Sequence, residues 1–199
     1  MSFPDSRRLK SVLDRTLAWS RAQDYLEYTK HDALNSPLLK AMFGFGRLPR
    51  IFATQAVMRF PVNLRPLLGV ARSANPKGYA LFVMALLDDY ETTGSTASLQ
   101  EAERLLVLLM ELRSQGRWHG DCWGYQYPWQ DLGFYAPSGT PNAVVTAFVC
   151  EAFLHAHAVT GRREYIDTVV SARRFFLQDL TVLKETDDEK CVAYMPLDM

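Results

Sequence analysis

Two stretches of the sequence share one order of features: a long apolar helical pattern, a Thr-Gly pair and a second helical pattern. The helical patterns cover 76–93 and 98–114 in the first stretch, and 141–160 and 164–180 in the second. A glycine directly after the last periodic residue is typical of a helix end. The chain is therefore predicted to be all-α, with repeated helical hairpins as in a solenoid or a closed toroid. Any two αα-hairpins would share part of this pattern, so unrelated hairpins remain an alternative.

The rest of the chain carries fewer helical patterns. Helices are predicted over 5–25 and 50–59, the second ending before Pro61. A short strand is predicted at 191–194, after a charged turn. The length of 199 residues fits one domain, so 1–199 is expected to form a single helical domain.

Composition and charge exclude several classes of function. The chain has 22 basic and 22 acidic residues, so no basic face is expected and nucleic-acid binding is not predicted. No apolar run approaches the ~20 residues that span a bilayer, and the first residues do not resemble a signal peptide. Three scattered cysteines do not suit a disulfide framework. We therefore expect a soluble cytoplasmic protein without a membrane span.

The connecting segments hold the residues that suggest chemistry. Three of them lack a helical pattern: 30–49, 60–75 and the unusually long 116–140. The last contains three of the four tryptophans, interleaved with polar groups. Flat aromatic faces beside amides suit a sugar, whose C–H faces stack while its hydroxyls form hydrogen bonds. The predicted contacts in this loop are His119, Trp123, Tyr125, Trp129 and Gln130. The alternative is that these aromatic residues only pin a long loop to the core.

Carboxylates in the same segments are the candidate catalytic groups. Glycoside hydrolysis usually requires two carboxyl groups on either side of the scissile bond. Asp121 is the first candidate, with Asp131 and Asp32 as possible partners. The alternative is that each aspartate caps a helix or a turn, as most loop aspartates do.

No metal site or cofactor is predicted. His119, Asp121 and Cys122 are possible zinc ligands, but their spacing matches no standard zinc motif. His155 and His157 lie two apart on a predicted helix, so they face different directions and cannot chelate one ion together. Glycine patterns for phosphate or dinucleotide binding are also missing from the sequence.

The segment around Pro61 offers groups for an anionic ligand. Arg59, Asn63 and Arg65 lie beside rigid prolines. Arginine forks bind carboxylate or phosphate with two hydrogen bonds, so these residues could hold an anionic sugar or a sugar phosphate. Salt bridges that fasten an inter-helix loop are an equal alternative.

Several short motifs resemble one protein family. They follow one another in the order Asp-Ala-Leu-Asn-Ser at 32–36, Asn-Leu-Arg-Pro-Leu-Leu-Gly at 63–69, Asn-Pro-Lys-Gly at 75–78, Cys-Trp-Gly-Tyr at 122–125, Trp-Gln at 129–130 and Pro-Asn at 141–142. Together they resemble a family encoded in bacterial surface-polysaccharide gene clusters, and the resemblance covers about 25–194. It implies an (α/α) toroid similar to six-hairpin glycosidases and terpenoid cyclases. It also implies that the motif residues, including Asn35 and Asn142, line the central cavity.

The resemblance implies that family members are longer than this chain. An incomplete toroid would leave an apolar hairpin face open to water. The expectation is that a second copy or a partner chain completes it, and the alternative is that the chain is a truncated remnant.

These observations predict a carbohydrate-processing or carbohydrate-binding protein of surface-polysaccharide metabolism, with a carbohydrate or nucleotide-sugar ligand. One alternative is a prenyl-diphosphate enzyme in a related toroid, which would need an aspartate-rich metal motif, and Asp88-Asp89 matches such a motif weakly. Another is a non-catalytic helical interaction module.

Overall fold

The computed structural model describes residues 6–29 and 31–197, so predicted boundaries at 1, 5, 30 and 199 lie outside the described residues. The described part is mostly helical, as predicted. Its seven α-helices are α1 (Ser6–Arg21), α2 (Pro37–Phe43), α3 (Arg47–Arg59), α4 (Pro76–Thr93), α5 (Thr96–Glu111), α6 (Ala143–Thr160) and α7 (Arg163–Arg174). A 3₁₀-helix covers Asp32–Asn35, and a π-helix covers Phe175–Asp179.

Four short strands form two antiparallel pairs. Strand β1 (Trp129–Gln130) pairs with β2 (Tyr135–Ala136), with Trp129 opposite Ala136. Strand β3 (Val182–Glu185) pairs with β4 (Lys190–Val192), with Glu185 opposite Lys190. The strand expected at 191–194 is therefore confirmed in part.

The ends of the hairpin helices follow the local signals in the sequence. Asn75 and Asn142 cap α4 and α6, each accepting a hydrogen bond from the backbone N–H three residues ahead. The glycines that follow both helices, Gly94 and Gly161, have φ angles of 71° and 70°. This left-handed conformation is disfavoured for other residues, so each Thr-Gly pair marks a true helix end.

The two hairpins α4–α5 and α6–α7 pack side by side through α4 and α6. The Lys77 amino group lies 4.2 Å from the centre of the Phe148 ring, near the start of both helices. Near their ends, His155 Nε2 lies 3.0 Å from Glu91 Oε2. The helices α4 and α6 therefore run in the same direction, and the second hairpin repeats the placement of the first.

The main core lies between these four helices. Fully buried side chains come from each of them: Val83, Leu86, Leu87, Leu105, Leu109, Val145, Val149, Phe153 and Ala172. By length and composition, α6 is the one helix among the described residues that could cross a membrane. It also supplies Val145, Val149 and Phe153 to this core, and 39% of its length is buried.

The N-terminal helices differ most from the sequence expectation. The helix α2 lies within the segment expected to be non-periodic, because its seven residues are too few to display a helical period. Among the described residues of this region, Ala33, Leu39 and Val57 form a small buried apolar cluster. The predicted helix 164–180 is also divided, since α7 ends at Arg174 and the π-helix follows.

Candidate functional site

The long loop is anchored to the core by Trp123. Its side chain is fully buried, its Nε1 donates a hydrogen bond to the Leu109 carbonyl at 2.6 Å, and its backbone N–H donates to Thr146 Oγ1. A ring in this position has no face open to a ligand. The expected stacking role of Trp123 is therefore corrected to a core role, as the pinning alternative proposed.

Two glycines let the loop approach other backbone segments closely. A Cβ atom on Gly120 would lie 2.0 Å from the Ser171 carbonyl oxygen in α7, and one on Gly124 would lie 1.9 Å from the Thr140 carbonyl oxygen. Neither neighbour is a flexible side chain that could move away. The loop therefore docks against α7 because Gly120 lacks a side chain, and it passes close to its own C-terminal end because Gly124 lacks one.

His119 forms a dyad with a carboxylate on the π-helix. Its Nδ1 lies 2.7 Å from Asp179 Oδ1, and its backbone N–H donates to Asp179 Oδ2 at 2.9 Å. The Asp179 side chain is only 6% exposed, whereas that of His119 is 59% exposed. A buried carboxylate that orients an accessible imidazole is the geometry of a positioned general base. π-Helical turns are rare and frequently occur at functional sites.

Each of the three candidate catalytic carboxylates has a hydrogen-bond partner of its own. Asp121 accepts from Arg113 Nη1 at 2.8 Å, and Asp32 accepts from Arg65 Nε at 2.8 Å. Asp131 is exposed and caps its own turn, accepting from the next backbone N–H. Among the described residues, no hydrogen bond links any two of the three. Arginines hold Asp32 and Asp121, and a turn holds Asp131, so each carboxylate has a structural role of its own.

The residues predicted to bind an anion do not form one site either. Arg65 is committed to buried Asp32 and also donates to the Thr29 carbonyl at 2.7 Å, as the salt-bridge alternative proposed. Arg59 is exposed and forms no ion pair with any described residue. Asn63 accepts a hydrogen bond from the Arg65 backbone N–H, which stabilises the loop locally. The half-buried Asn35 ends the 3₁₀-helix.

Two amide side chains predicted to bind a ligand form hydrogen bonds within the protein instead. Gln130 donates to the carbonyls of Asp131 and Phe134 and accepts from Arg50, so its side chain closes the turn between β1 and β2. Asn142 is fully buried as the cap of α6, and its Nδ2 has no acceptor among the described residues. Neither amide presents an accessible hydrogen-bonding group to a ligand.

Aromatic side chains converge around Trp129 in what we call the aromatic cluster. Its members are His31, Tyr125, Tyr127, Trp129, Phe134 and Tyr194. The rings of Tyr125 and Tyr127 stack with centres 5.1 Å apart. Phe134 and Tyr194 meet Trp129 edge-on, at 5.0 and 6.2 Å. Except for buried Tyr127, these side chains are partly exposed. The cluster therefore combines mutual packing with accessible ring surface.

The polar atoms of the aromatic cluster are suited to hydrogen-bond donation. The Nε1 atom of Trp129 is buried and finds no acceptor among the described residues, which is costly unless another molecule supplies one. Burial, followed by the neighbouring Tyr125 hydroxyl with which it forms a hydrogen bond, raises the pKa of Tyr194 to about 12. A small pocket of about 60 Å³ lies beside these rings, lined by Phe134, Tyr194, Met195 and Leu197.

Sequence reasoning identified Tyr125 and Trp129 of this cluster but missed His31, Tyr127, Phe134 and Tyr194. Tyr127 and Phe134 belong to the same aromatic stretch, so its density was an available signal. His31 and Tyr194 arrive from distant parts of the chain. No signal at their own positions indicates this convergence.

Comparisons with protein-family models, with curated proteins and with solved structures found no match to this chain.

Proposed function

We propose that this protein binds a carbohydrate at the aromatic cluster, as a free oligosaccharide or as the sugar of a nucleotide sugar. The observation that carries the proposal is the buried Trp129 Nε1, which lacks an acceptor within a group of partly exposed rings. When the neighbouring rings shift on binding and uncover this N–H, a sugar hydroxyl would accept from it while the C–H face of the sugar packs on those rings. The motif resemblance is what supports surface-polysaccharide metabolism as the proposed context.

Binding rather than hydrolysis is the function that the geometry favours. Asp32 and Asp121 each have an arginine partner, and Asp131 caps a turn. The His119–Asp179 dyad offers one positioned base, an imidazole held by a buried carboxylate rather than two carboxyl groups on either side of a bond. Glycoside hydrolysis needs two cooperating groups. We therefore assign recognition to the aromatic cluster and no bond cleavage to the aspartates.

The architecture that we propose for this site is part of an (α/α) toroid. The parallel placement of α4 and α6, each followed by a returning helix, supports it. In a toroid, successive hairpins repeat this placement around a central axis.

The test is ligand binding by the full chain against a panel of oligosaccharides and nucleotide sugars. A ligand at a hundred times its dissociation constant adds about 2.7 kcal/mol of stability. For a protein of this size, this corresponds to a melting shift of roughly 5–11 °C. Trp129→Ala should abolish the shift. Trp19→Ala is the matched control, because Trp19 is a 66% exposed tryptophan on α1 outside the cluster.

Circular dichroism of both variants should show unchanged helix content. An equal ligand response in wild type and Trp129→Ala would refute the aromatic cluster as the binding site. The absence of any sugar response in the wild-type chain would refute the carbohydrate proposal itself.

A second candidate function, a helical interaction module, is favoured by one observation. The region from α2 to the loop after α3 exposes eight large apolar side chains, each about half exposed or more: Leu38, Met42, Phe45, Leu48, Phe52, Phe60, Val62 and Leu67. Soluble monomers rarely expose so many within one short region. A second copy of the chain is the proposed occupant. Light scattering should then give a dimer mass that Phe45→Asp with Leu67→Asp reduces to a monomer mass.

A monomer mass for the wild-type chain would refute self-association. Sugar binding is measured separately, so the two proposals can fail independently.

A further inference from the structure

Three metal-ligating side chains converge where α4 and α6 approach their ends. Asp88 and Glu91 lie three residues apart on α4 and therefore share a face, and His155 reaches them from α6. His155 Nε2 lies 3.0 Å from Glu91 Oε2 and 3.8 Å from Asp88 Oδ1. One ligand atom from each residue can be chosen so that all three lie within 4.8 Å of one another. The backbones that carry them are held by the buried core between the two helices.

One imidazole cannot satisfy both carboxylates. The Nε2 atom of His155 carries at most one N–H, which is directed to Glu91 in the 3.0 Å contact. At 3.8 Å, the Asp88 carboxylate is beyond hydrogen-bonding distance. A cation between the three groups would interact with both carboxylates and with the nitrogen lone pair at once.

The charges around this point also favour a cation. Among the described residues, His155 is the only ion-pair partner of Asp88 and Glu91. The neighbouring Asp89 differs, because Lys10 and Ser98 bind its carboxylate and hold its pKa below the usual range. Both helices end nearby and in the same direction, so the negative ends of their dipoles add to the negative potential.

We propose that Asp88, Glu91 and His155 form a binding site for a divalent transition-metal ion, with Zn²⁺ as the best fit. Zinc binds imidazole nitrogen and carboxylate oxygen at about 2.0–2.2 Å, and tetrahedral geometry then separates ligand atoms by about 3.3 Å. The observed separations of 3.0 and 3.8 Å from Nε2 lie on either side of this value. Magnesium and calcium fit less well, because both prefer six or more oxygen ligands. The bound ion would join the first hairpin to the second and keep one position open to water.

Zinc titration of the chelator-treated full chain tests this site. The background variant carries Cys191→Ser, because Cys191 is an exposed thiol that could bind zinc by itself. Isothermal titration should show one Zn²⁺ per chain and no binding of Mg²⁺, and zinc should raise the melting temperature. His155→Gln and Glu91→Gln should each weaken zinc binding by at least about tenfold, which equals about 1.4 kcal/mol.

His157→Gln is the matched control. His157 lies on the same helix, but its Nδ1 contacts the Arg162 carbonyl rather than the two carboxylates. Its substitution should leave zinc affinity unchanged. Circular dichroism identifies any variant that fails to fold, and the remaining variants then decide the outcome. Absence of stoichiometric zinc binding, or equal affinity in the His155→Gln and His157→Gln variants, would overturn the proposal.

Discussion

Substitution of Arg65 by methionine distinguishes a structural role of this residue from a ligand-binding role. The guanidinium donates to both oxygens of Asp32 at 2.8 and 3.0 Å and to the Thr29 carbonyl at 2.7 Å. The Asp32 side chain is 1% exposed, and that of Arg65 is 14% exposed. Methionine would fill similar volume but would leave a buried carboxylate without its positive partner.

The structure permits an estimate of the cost. Removing one partner of a buried ion pair typically destabilises a protein by about 3–5 kcal/mol. Asp32 keeps one hydrogen bond from the Thr29 backbone N–H, and Arg65 retains some contact with water. We therefore expect the lower end, about 3 kcal/mol, which corresponds to a fall in melting temperature of roughly 6–12 °C.

Urea denaturation and thermal melting of the purified variants measure this loss. Arg59→Met is the control, because Arg59 is an exposed arginine of the same region without an ion pair among the described residues, and it should change stability by less than about 0.5 kcal/mol. In the double variant Asp32→Asn, Arg65→Met, the cost should fall below the sum of the single losses, since no buried charge remains. Equal, small effects of Arg65→Met and Arg59→Met would refute the buried ion pair. A change in ligand affinity without a loss of stability would restore Arg65 as an anion-binding residue.

Further predictions concern close backbone contacts and thiol reactivity. Gly120→Ala should destabilise the protein by about 1–3 kcal/mol or more, because its new Cβ would overlap the backbone of α7. In urea denaturation, Gly133→Ala should change stability by less than about 0.5 kcal/mol, since no atom lies within 4 Å of that Cβ, and equal losses would contradict the docked loop. A thiol reagent at pH 8 should modify only exposed Cys191 in the native chain, because burial raises the pKa of the Cys122 and Cys150 thiols to about 12. Rapid modification of more than one thiol before denaturation would contradict their burial.

The helices could be predicted because their signals are local. A helical period, an asparagine cap and a final glycine all lie within one element, so α4 was predicted with the bounds that the structure has. The predicted start of α6 at Pro141 lies two residues before its observed first residue, Ala143, which Asn142 caps. The α2 helix was missed because seven residues cannot display a period, although Ser36 and Pro37 are a typical cap and first position.

Contacts between residues that are distant in the sequence could not be predicted from such local signals. The His119–Asp179 dyad joins residues 60 positions apart, and the His155–Glu91 contact joins residues 64 apart. Each residue taken alone has an ordinary sequence neighbourhood. The sequence comparison paired His155 only with His157, whereas the carboxylates that face His155 lie on another helix.

The tryptophans of the long loop show why residue type alone does not separate a core residue from a ligand contact. Trp123 donates to the Leu109 carbonyl, one of the last four carbonyls of α5 that no helical N–H can reach. That bond satisfies a helix end and an indole together, so Trp123 is stable in the core without a ligand. Trp129 lies six residues later in the same aromatic stretch, yet its Nε1 meets no such carbonyl among the described residues. A buried donor without an acceptor costs about 1–3 kcal/mol, and an acceptor from a ligand would recover that cost. The two tryptophans therefore differ in whether an unpaired backbone carbonyl lies within reach of Nε1. The packing of α5 against the loop determines this, and the residue types alone do not.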